Sequence, residues 1–422
     1  MTSDSIFSRL LTSTLVLWVL SGSGPARAQA PAQHDHAAPK PSAWHLMQDA
    51  VLFLTVNHQG GPRGGDEVAG QNWWMGMAQR PLPRGTLTLN LMLSAEPLTL
   101  GRDGYREIFQ AGEALDHIAV VDRQHPHDFL VQAAAVWRAP LGRGVALTLA
   151  GAPVGEPALG PVAFMHRASA AEQPTAPLAH HTMDSTHISM GVLTAGIDRG
   201  PWEIETSIFR GREPDDDRWD LMDPGALDSW SVRGWYRPSP SWTVQISHGF
   251  LKEPEELEPG NLRRTTASAS WTRTGARSGT AATIAYGRND KPGADFNALV
   301  AEATRTFGAN AMYGRFESVQ VETDLLRFGV HGFVGRKPAA HVPEGTGGVD
   351  VVSALTLGGT RMLARRAGWD MSAGADATFY AVPGVLEPTH GSRPVSFHLF
   401  VRVRPPAPMG RMVDVTMTRM MR

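Results

Sequence analysis

Residues 369–379 read WDMSAGADATF, and two kinds of side chain alternate along the whole stretch. The odd positions carry Trp369, Met371, alanines and Phe379, whereas the even positions carry Asp370, Asp376 and small polar residues. A period of two places successive side chains on opposite faces of a β-sheet. The same alternation recurs at 86–94, 202–208 and 395–403. The sequence therefore predicts an all-β protein built from amphipathic strands.

Sixteen strands of this kind can be placed along the chain. They are expected at 48–58, 70–80, 84–95, 128–139, 143–151, 187–198, 201–210, 229–236, 241–249, 263–273, 279–287, 296–307, 309–317, 349–363, 366–380 and 394–404. The connections between them alternate in length. Long ones are expected at 59–69, 96–127, 152–186, 211–228, 250–262, 288–295, 318–348 and 381–393, and short turns rich in Pro and Gly separate the remaining strands.

The alternation alone fits either a soluble sandwich with its apolar face inside or a membrane barrel with its apolar face outside. The connection lengths favour the barrel, because an even number of strands with short periplasmic turns and long extracellular loops is typical of outer-membrane proteins. A closed antiparallel barrel of about sixteen strands also pairs every backbone N–H and C=O within the hydrocarbon. Aromatic residues near the strand ends are expected to form interfacial girdles. These are Trp73, Trp74, Trp137, Trp202, Trp230, Trp242, Trp271, Trp369 and Phe379.

The two ends of the chain differ from the strand region. Residues 1–28 contain a basic residue, a short apolar run and an A-x-A site, which predicts a Sec signal peptide and a location in the outer membrane. Residues 29–44 indicate a flexible periplasmic leader, 45–405 the barrel, and 406–422 a methionine-rich tail. The net charge of -2 gives no indication of a nucleic-acid partner. The absence of cysteine excludes disulfides, thiolate metal sites and cysteine nucleophiles.

Histidines are concentrated in two of the long loops on one rim. With two aspartates they form a candidate site for a divalent transition metal such as copper or zinc, because imidazole and carboxylate are suitable ligands. The candidate ligands are His125, His127, Asp128, His166, His180, His181, Asp184 and His187. Hydrogen bonding that holds the loops over the barrel mouth is the alternative interpretation. The leader with His34 and His36 and the methionine-rich tail would also suit copper.

The polar positions of the strands predict an interior of mixed charge. The candidate pore-lining residues are Glu203, Glu205, Arg233, Asp370, Asp376 and Arg402. The loop at 152–186 is long and rich in Pro, Gly and apolar residues, and we expect it to fold inward as a constriction. Three functions follow from these features. The first is a channel or transporter for a small solute or ion, with outer-membrane lipid around it; the second is a metal-binding or metal-resistance protein of the envelope. The third is a hydrolase that uses Asp184, Ser185 and His187, although no G-x-S-x-G motif accompanies them.

Four loop strings carry a resemblance that extends over most of the mature chain. They read QHPHD at 124–128, APVGEPALGPVAFMHR at 152–167, HHTMDSTHIS at 180–189 and GREPDDDRWD at 211–220. In these strings and in its strand pattern the chain resembles bacterial porin-like barrels, and a family of exported Gram-negative proteins to which no activity is assigned. The resemblance implies an outer-membrane barrel and assigns no site residues. The His and Met segments at the two ends are loosely similar to those of copper-resistance outer-membrane proteins, which makes copper a candidate partner.

Overall fold

The computed structural model describes residues 44–222, 225–258, 260–275, 278–329 and 348–405, together with the backbone of Phe333–Val334 and Lys337–Pro338. The expected signal peptide, the leader up to residue 43 and the methionine-rich tail lie outside these residues. No helix of the described part is long and apolar enough to cross a membrane.

The chain forms a closed antiparallel β-barrel of sixteen long strands. We number every strand in chain order: β1 His45–Gln59, β2 Gly65–Ala69, β3 Asn72–Leu82, β4 Gly85–Leu93, β5 Tyr105–Leu115, β6 Ile118–Gln124, β7 Leu130–Gly142, β8 Val145–Gly155, β9 Ser189–Arg199, β10 Trp202–Arg210 and β11 Ser229–Ser239. The second half contains β12 Trp242–Leu251, β13 Leu262–Thr274, β14 Ser278–Asp290, β15 Asp295–Phe307, β16 Asn310–Glu322, β17 Phe333–Val334, β18 Lys337–Pro338, β19 Val349–Arg366, β20 Trp369–Ala381 and β21 Val395–Arg404.

Pairing between the first and last strands closes the barrel. Leu52 to His58 of β1 pair with Phe397 to Val403 of β21, so the main sheet has no free edge at this seam. The short strand β2 pairs with the far end of β1, beyond the point where β3 begins. The hairpin of β5 and β6 and the two-residue ladder of β17 and β18 are separate from the barrel. Short helices lie in the connections: α1 Glu96–Thr99, α2 His180–Met183, α3 Thr323–Phe328 and α4 Glu387–His390.

The two faces of the barrel wall have opposite character. On β10 the outward-facing Trp202 and Ile204 are 59% and 65% exposed, whereas Glu203 and Glu205 between them are 4% and 5% exposed. The exposed apolar face and the buried charged face are the reverse of a soluble sandwich and match the arrangement of a membrane barrel. The expected fold class is therefore confirmed.

All sixteen expected strands are present, and their ends differ by a few residues. The strand expected at 309–317 continues to Glu322, and the long loop expected at 288–295 shortens to residues 291–294 because β14 and β15 extend into it. We refer below to the end of the barrel that carries the short connections as the turn end, and to the opposite end as the loop end.

The structure adds one feature to the long connection expected at 96–127 and corrects one expectation about the girdle. The connection expected at 96–127 contains the hairpin of β5 and β6, which sequence alternation missed because the register shifts around Ala111. Phe109 and Gly112 adopt positive φ angles there and interrupt the period of two. Trp73 does not belong to an outer girdle: it packs with inward-facing methionines and borders an interior cavity, because it shares the parity of the inward Met75 on β3.

Candidate channel interior

The connection between β8 and β9, residues 156–188, lies inside the barrel and binds the inner wall on several sides. We call it the inner segment. The N–H of Ala158 donates to Ser207 of β10 and that of Gly160 to Ser247 of β12. Farther along the segment, Ser169 donates to Glu302 of β15 and the N–H of Ala179 approaches Glu317 of β16. The expectation that this loop folds inward therefore matches its position.

Buried ion pairs hold the inner segment against β15 and β21. The Arg167 guanidinium lies 2.7 Å from Glu302 and 2.7 Å from Asp184, and its side chain is 4% exposed. Burial alone would raise the pKa of the Asp184 carboxyl, but Arg167 and His180 together hold that pKa well below its ordinary value. On the opposite side Glu172 lies 2.5 Å from Arg402 of β21. Each carboxylate is thus paired with a cation.

A small cavity of about 50 Å³ remains between the inner segment and the wall formed by β1 and β3. Its lining extends from residues of the loop-end connections to residues near the turn end. These are Asp49, Val51, Phe53, Gln71, Asn72, Trp73, Glu96, Tyr105, Gln124, His125, His127, Phe164, Met165, His166, Ala170, Ala171, Gln173, Pro174 and Arg404. The Nε2 of Gln71 and both amide atoms of Gln173 are buried and have no hydrogen-bond partner within the protein. Buried amides are normally paired, so these atoms leave hydrogen-bonding groups of the cavity lining unused.

The loop histidines come together as a chain of neighbouring rings. The centroids of His125 and His181 are 5.5 Å apart, those of His181 and His180 are 5.3 Å apart, and those of His180 and His187 are 5.2 Å apart. His127 continues the chain at 5.4 Å from His187. The sequence prediction that these side chains from two loops meet is therefore matched by their positions. We define this group as the histidine chain.

Carboxylates already pair with three members of the histidine chain. Nε2 of His125 lies 3.0 Å from Glu113, Nδ1 of His127 lies 2.7 Å from Glu96, and Nδ1 of His180 lies 2.7 Å from Asp184. Within the described residues, no three His, Asp or Glu side chains are arranged to hold a metal ion. The predicted copper or zinc site at these positions remains a prediction.

The two other predicted ligands lie beside the chain. His166 contacts the Trp73 ring at 5.0 Å, and burial, with His127 nearby, lowers its pKa to about 4. Asp128 pairs with Arg218 at 3.1 Å, and burial, opposed by that arginine, raises the pKa of its carboxyl to about 6. Burial also lowers the pKa values of His181 and His187 well below the ordinary value. The rings of His166, His181 and His187 are therefore neutral at pH 7.

The six predicted pore-lining residues occupy inward positions on the wall, and each has an ionic partner. Arg233 bridges Glu205 and Glu156 at 2.9 and 2.8 Å, and Glu203 lies 2.6 Å from Arg237. Asp376 accepts a hydrogen bond from Tyr313 and lies 2.6 Å from Nδ1 of His398. Asp370 pairs with Arg365 at the turn end, and Arg402 pairs with Glu172. Whether these residues line an open passage is still a prediction.

The residues considered for a hydrolase do not form a catalytic arrangement. Nδ1 of His187 faces the backbone oxygen of Asp184 at 2.8 Å, and Ser185 accepts a hydrogen bond from Arg264. The carboxylate of Asp184 is bound by Arg167 and His180. Ser185 and His187 therefore lack the mutual hydrogen bond that would activate a serine nucleophile.

Sequence reasoning missed several residues that hold the inner segment. Arg167 was not singled out, nor were Glu302, Arg315 and Glu317 on β15 and β16. The period of two could have identified the strand residues, since Glu302, Arg315 and Glu317 share the parity of inward positions. Arg167 has no such signal, because its partner Glu302 is far away in sequence and meets it only in the closed barrel.

Comparison with solved structures identifies similar barrels. Pseudomonas putida OprB has a TM-score of 0.50 and 10% identity, with 86% of this chain and 94% of OprB covered. In-vitro folded OmpT of Vibrio cholerae has a TM-score of 0.49 and 8% identity over 87% of this chain and 99% of OmpT. The anion-selective porin of Comamonas acidovorans has a TM-score of 0.45 and 10% identity over 86% of this chain and all of that porin.

No protein-family model matches the sequence, and no curated protein matches it either. The identities to the solved structures are low, so the likeness concerns the fold alone. Three observations support the same fold: the apolar exterior, the sixteen strands and the similarity to OprB. The chain has the fold of the bacterial outer-membrane porin barrels.

Proposed function

We propose that this protein is an outer-membrane channel for a small polar solute or ion, with a passage narrowed by the inner segment. The observation that carries the proposal is the cavity between that segment and the wall of β1 and β3. It is lined by the unpaired amide nitrogen of Gln71 and the unpaired amide of Gln173, which a passing polar solute or water would satisfy. Export through the signal peptide at 1–28 and surrounding outer-membrane lipid are part of the same proposal.

The lining of the cavity is suited to selection by size. Phe53 and Trp73 lie on the barrel wall, and Phe164 and Ala171 lie on the inner segment facing it. The ion pairs of Arg167 and Arg402 fix the segment, so the opening has a defined width instead of the width of the whole barrel. A barrel of this strand number without such a segment would enclose a wider aqueous channel.

The test is single-channel conductance in planar lipid bilayers. A171W adds a large ring where the inner segment borders the cavity, and we expect it to lower the conductance at least about twofold, since the indole occupies space through which the solute would pass. The matched control is A195W, an outward-facing alanine on β9 that should leave the conductance unchanged. A wild-type barrel that conducts no ions, or an A171W variant that conducts as well as wild type, would contradict the proposal.

A further inference from the structure

Methionines are concentrated on one part of the inner wall. Five of them are buried in a single cluster, Met75, Met77, Met92, Met190 and Met222, and two more pack against it, Met47 and Met165. We call these seven residues the methionine wall. The larger apolar cluster elsewhere in the barrel contains one methionine and is otherwise built mainly from Ala, Val, Leu and aromatic residues. Apolar packing in this barrel therefore does not require methionine.

The register of the sheet brings four of these side chains together. Met47 of β1 lies directly opposite Met77 of β3, and Met75 of β3 lies directly opposite Met92 of β4. Directly opposed residues of antiparallel strands have their Cβ atoms about 4.5–5.5 Å apart. Four thioethers on three neighbouring strands thus share one inward patch.

The remaining three methionines cover this patch from the lumen and continue it along the barrel. Met190 lies at the loop end of β9, and Met222 comes from the connection between β10 and β11. Met165 belongs to the inner segment. Because Met47 lies near the turn end of β1, the methionine wall extends from the loop end towards the turn end.

The methionine wall adjoins the cavity and the ion pair of Asp49 with Arg404. Trp73 and Met165 pack against the cluster and also line the cavity, so the cavity gives access to the methionine wall at the Met165 thioether. Asp49 also lines the cavity and lies directly opposite Met75 in the sheet, and its carboxylate is 3.9 Å from the Arg404 guanidinium.

We propose that the methionine wall binds a soft monovalent metal ion, Cu(I) or Ag(I), through thioether sulfur. Thioethers are soft, polarisable ligands that select Cu(I) over hard cations such as magnesium or calcium. The ion binds without a change of oxidation state. Passage of the ion through the barrel would require the proposed channel. Binding of the ion to the methionine wall does not, because it requires access only from one end of the barrel.

Silver is the probe, since Ag(I) does not need a reductant. The full-length folded protein in detergent is incubated with silver nitrate in chloride-free buffer, and its affinity for Ag(I) is measured by calorimetry and by metal analysis. We expect M47L/M75L/M77L/M92L to weaken binding about tenfold or more, the scale on which altered metal sites lose affinity. Leucine is close to methionine in volume, so each substitution costs little stability. Heat-modifiable gel mobility checks that the variant is folded, and the pairs M47L/M77L and M75L/M92L serve if the fourfold variant does not fold.

Two control variants identify the methionines responsible. M312L/M371L replaces methionines that point outward and are 62% and 39% exposed, and it should bind silver like wild type. A variant with all five tail methionines changed to leucine, at positions 409, 412, 417, 420 and 421, should also keep the site. Equal affinity of wild type and the wall variant, or loss of binding only in the tail variant, would overturn the proposal.

Failure of this proposal can be distinguished from failure of the proposed channel. If the barrel conducts ions but silver does not bind the wall, the channel stands and the soft-metal site is wrong. If silver binds through the wall methionines but no current is measured, the site stands and the channel is wrong.

Discussion

Individual buried charges help to hold the inner segment in place against the barrel wall. Arg167 illustrates this best, because its guanidinium is enclosed between Asp184 and Glu302 and is almost completely removed from solvent. Charges are stable in such surroundings only when each is paired, and the loss of one partner leaves another charge uncompensated. The sequence shows the residue types but not this pairing, which depends on barrel closure.

Removal of the Arg167 charge should therefore destabilise the folded barrel strongly. We expect R167M to cost about 3–5 kcal/mol, because two buried carboxylates lose their common partner. The measurement is the denaturant midpoint of the shift in gel mobility. The matched control is R365M, which breaks an arginine–aspartate pair whose arginine is exposed at the turn end and should have little effect. Equal effects of the two substitutions would show that Arg167 is not a buried anchor.

Glu107 on the loop-end hairpin predicts a dependence of stability on pH. Burial raises its pKa to about 8, with Arg315 opposing and Glu317 and Asp376 adding to the rise, and its Oε2 has no hydrogen-bond partner. The folded state thus holds a proton that the unfolded chain releases near pH 4.5. This contribution to stability is complete below pH 4.5 and is lost as the pH rises through 8, by at most about 1.4 kcal/mol per pH unit.

E107Q should remove this contribution to the pH dependence. Between pH 5 and pH 9 the denaturant midpoint of wild type should fall more steeply than that of E107Q. The exposed Glu387 supplies the control, since E387Q should follow wild type. Parallel curves for wild type and E107Q would mean that Glu107 titrates normally.

At the scale of elements, the close packing of helix α2 against strand β14 depends on a glycine. Gly287 of β14 faces inward, and a Cβ atom there would lie 2.5 Å from the backbone oxygen of Thr182 and 2.8 Å from Met183. Helix α2, which carries His180 and His181, can approach the wall only because this position is glycine. The contact explains how the histidine chain is set against β14.

G287A should push α2 away from the wall. We expect a loss of about 1–3 kcal/mol, typical of overpacking, and faster proteolysis of the inner segment. G234A is the control, because Gly234 faces outward and the nearest atom to its Cβ position is 3.8 Å away. If G287A is as stable and as protease-resistant as G234A, α2 does not pack as described.

Strand positions could be predicted from the sequence, whereas much of the interior could not. Alternation along 369–379 and the lengths of connections depend only on local residues, and they located all sixteen strands. The methionine wall depends on register: Met47 and Met77 face each other only once β1 and β3 are aligned. The hairpin around Ala111 was missed because bulges disturb the period on which the prediction relied.

At the scale of the whole molecule, one closed sheet separates an apolar exterior from a charged and polar interior. Outward positions are exposed and largely apolar, while inward positions such as Glu205 and Arg233 form buried ion pairs. The inner segment fills part of the lumen, and a cavity remains beside β1 and β3. We propose that solute passes through that cavity, and this is the central claim to be tested.

Thiol modification tests this claim most directly. The chain has no cysteine, so Q173C would carry its only thiol, at a position that lines the cavity. Single-channel current is recorded before and after addition of a charged methanethiosulfonate reagent. We predict a stepwise, irreversible fall in the current of Q173C and no change in wild type. An unchanged current in a Q173C channel whose labelling is verified by mass spectrometry would show that solute passes elsewhere, and would contradict the account.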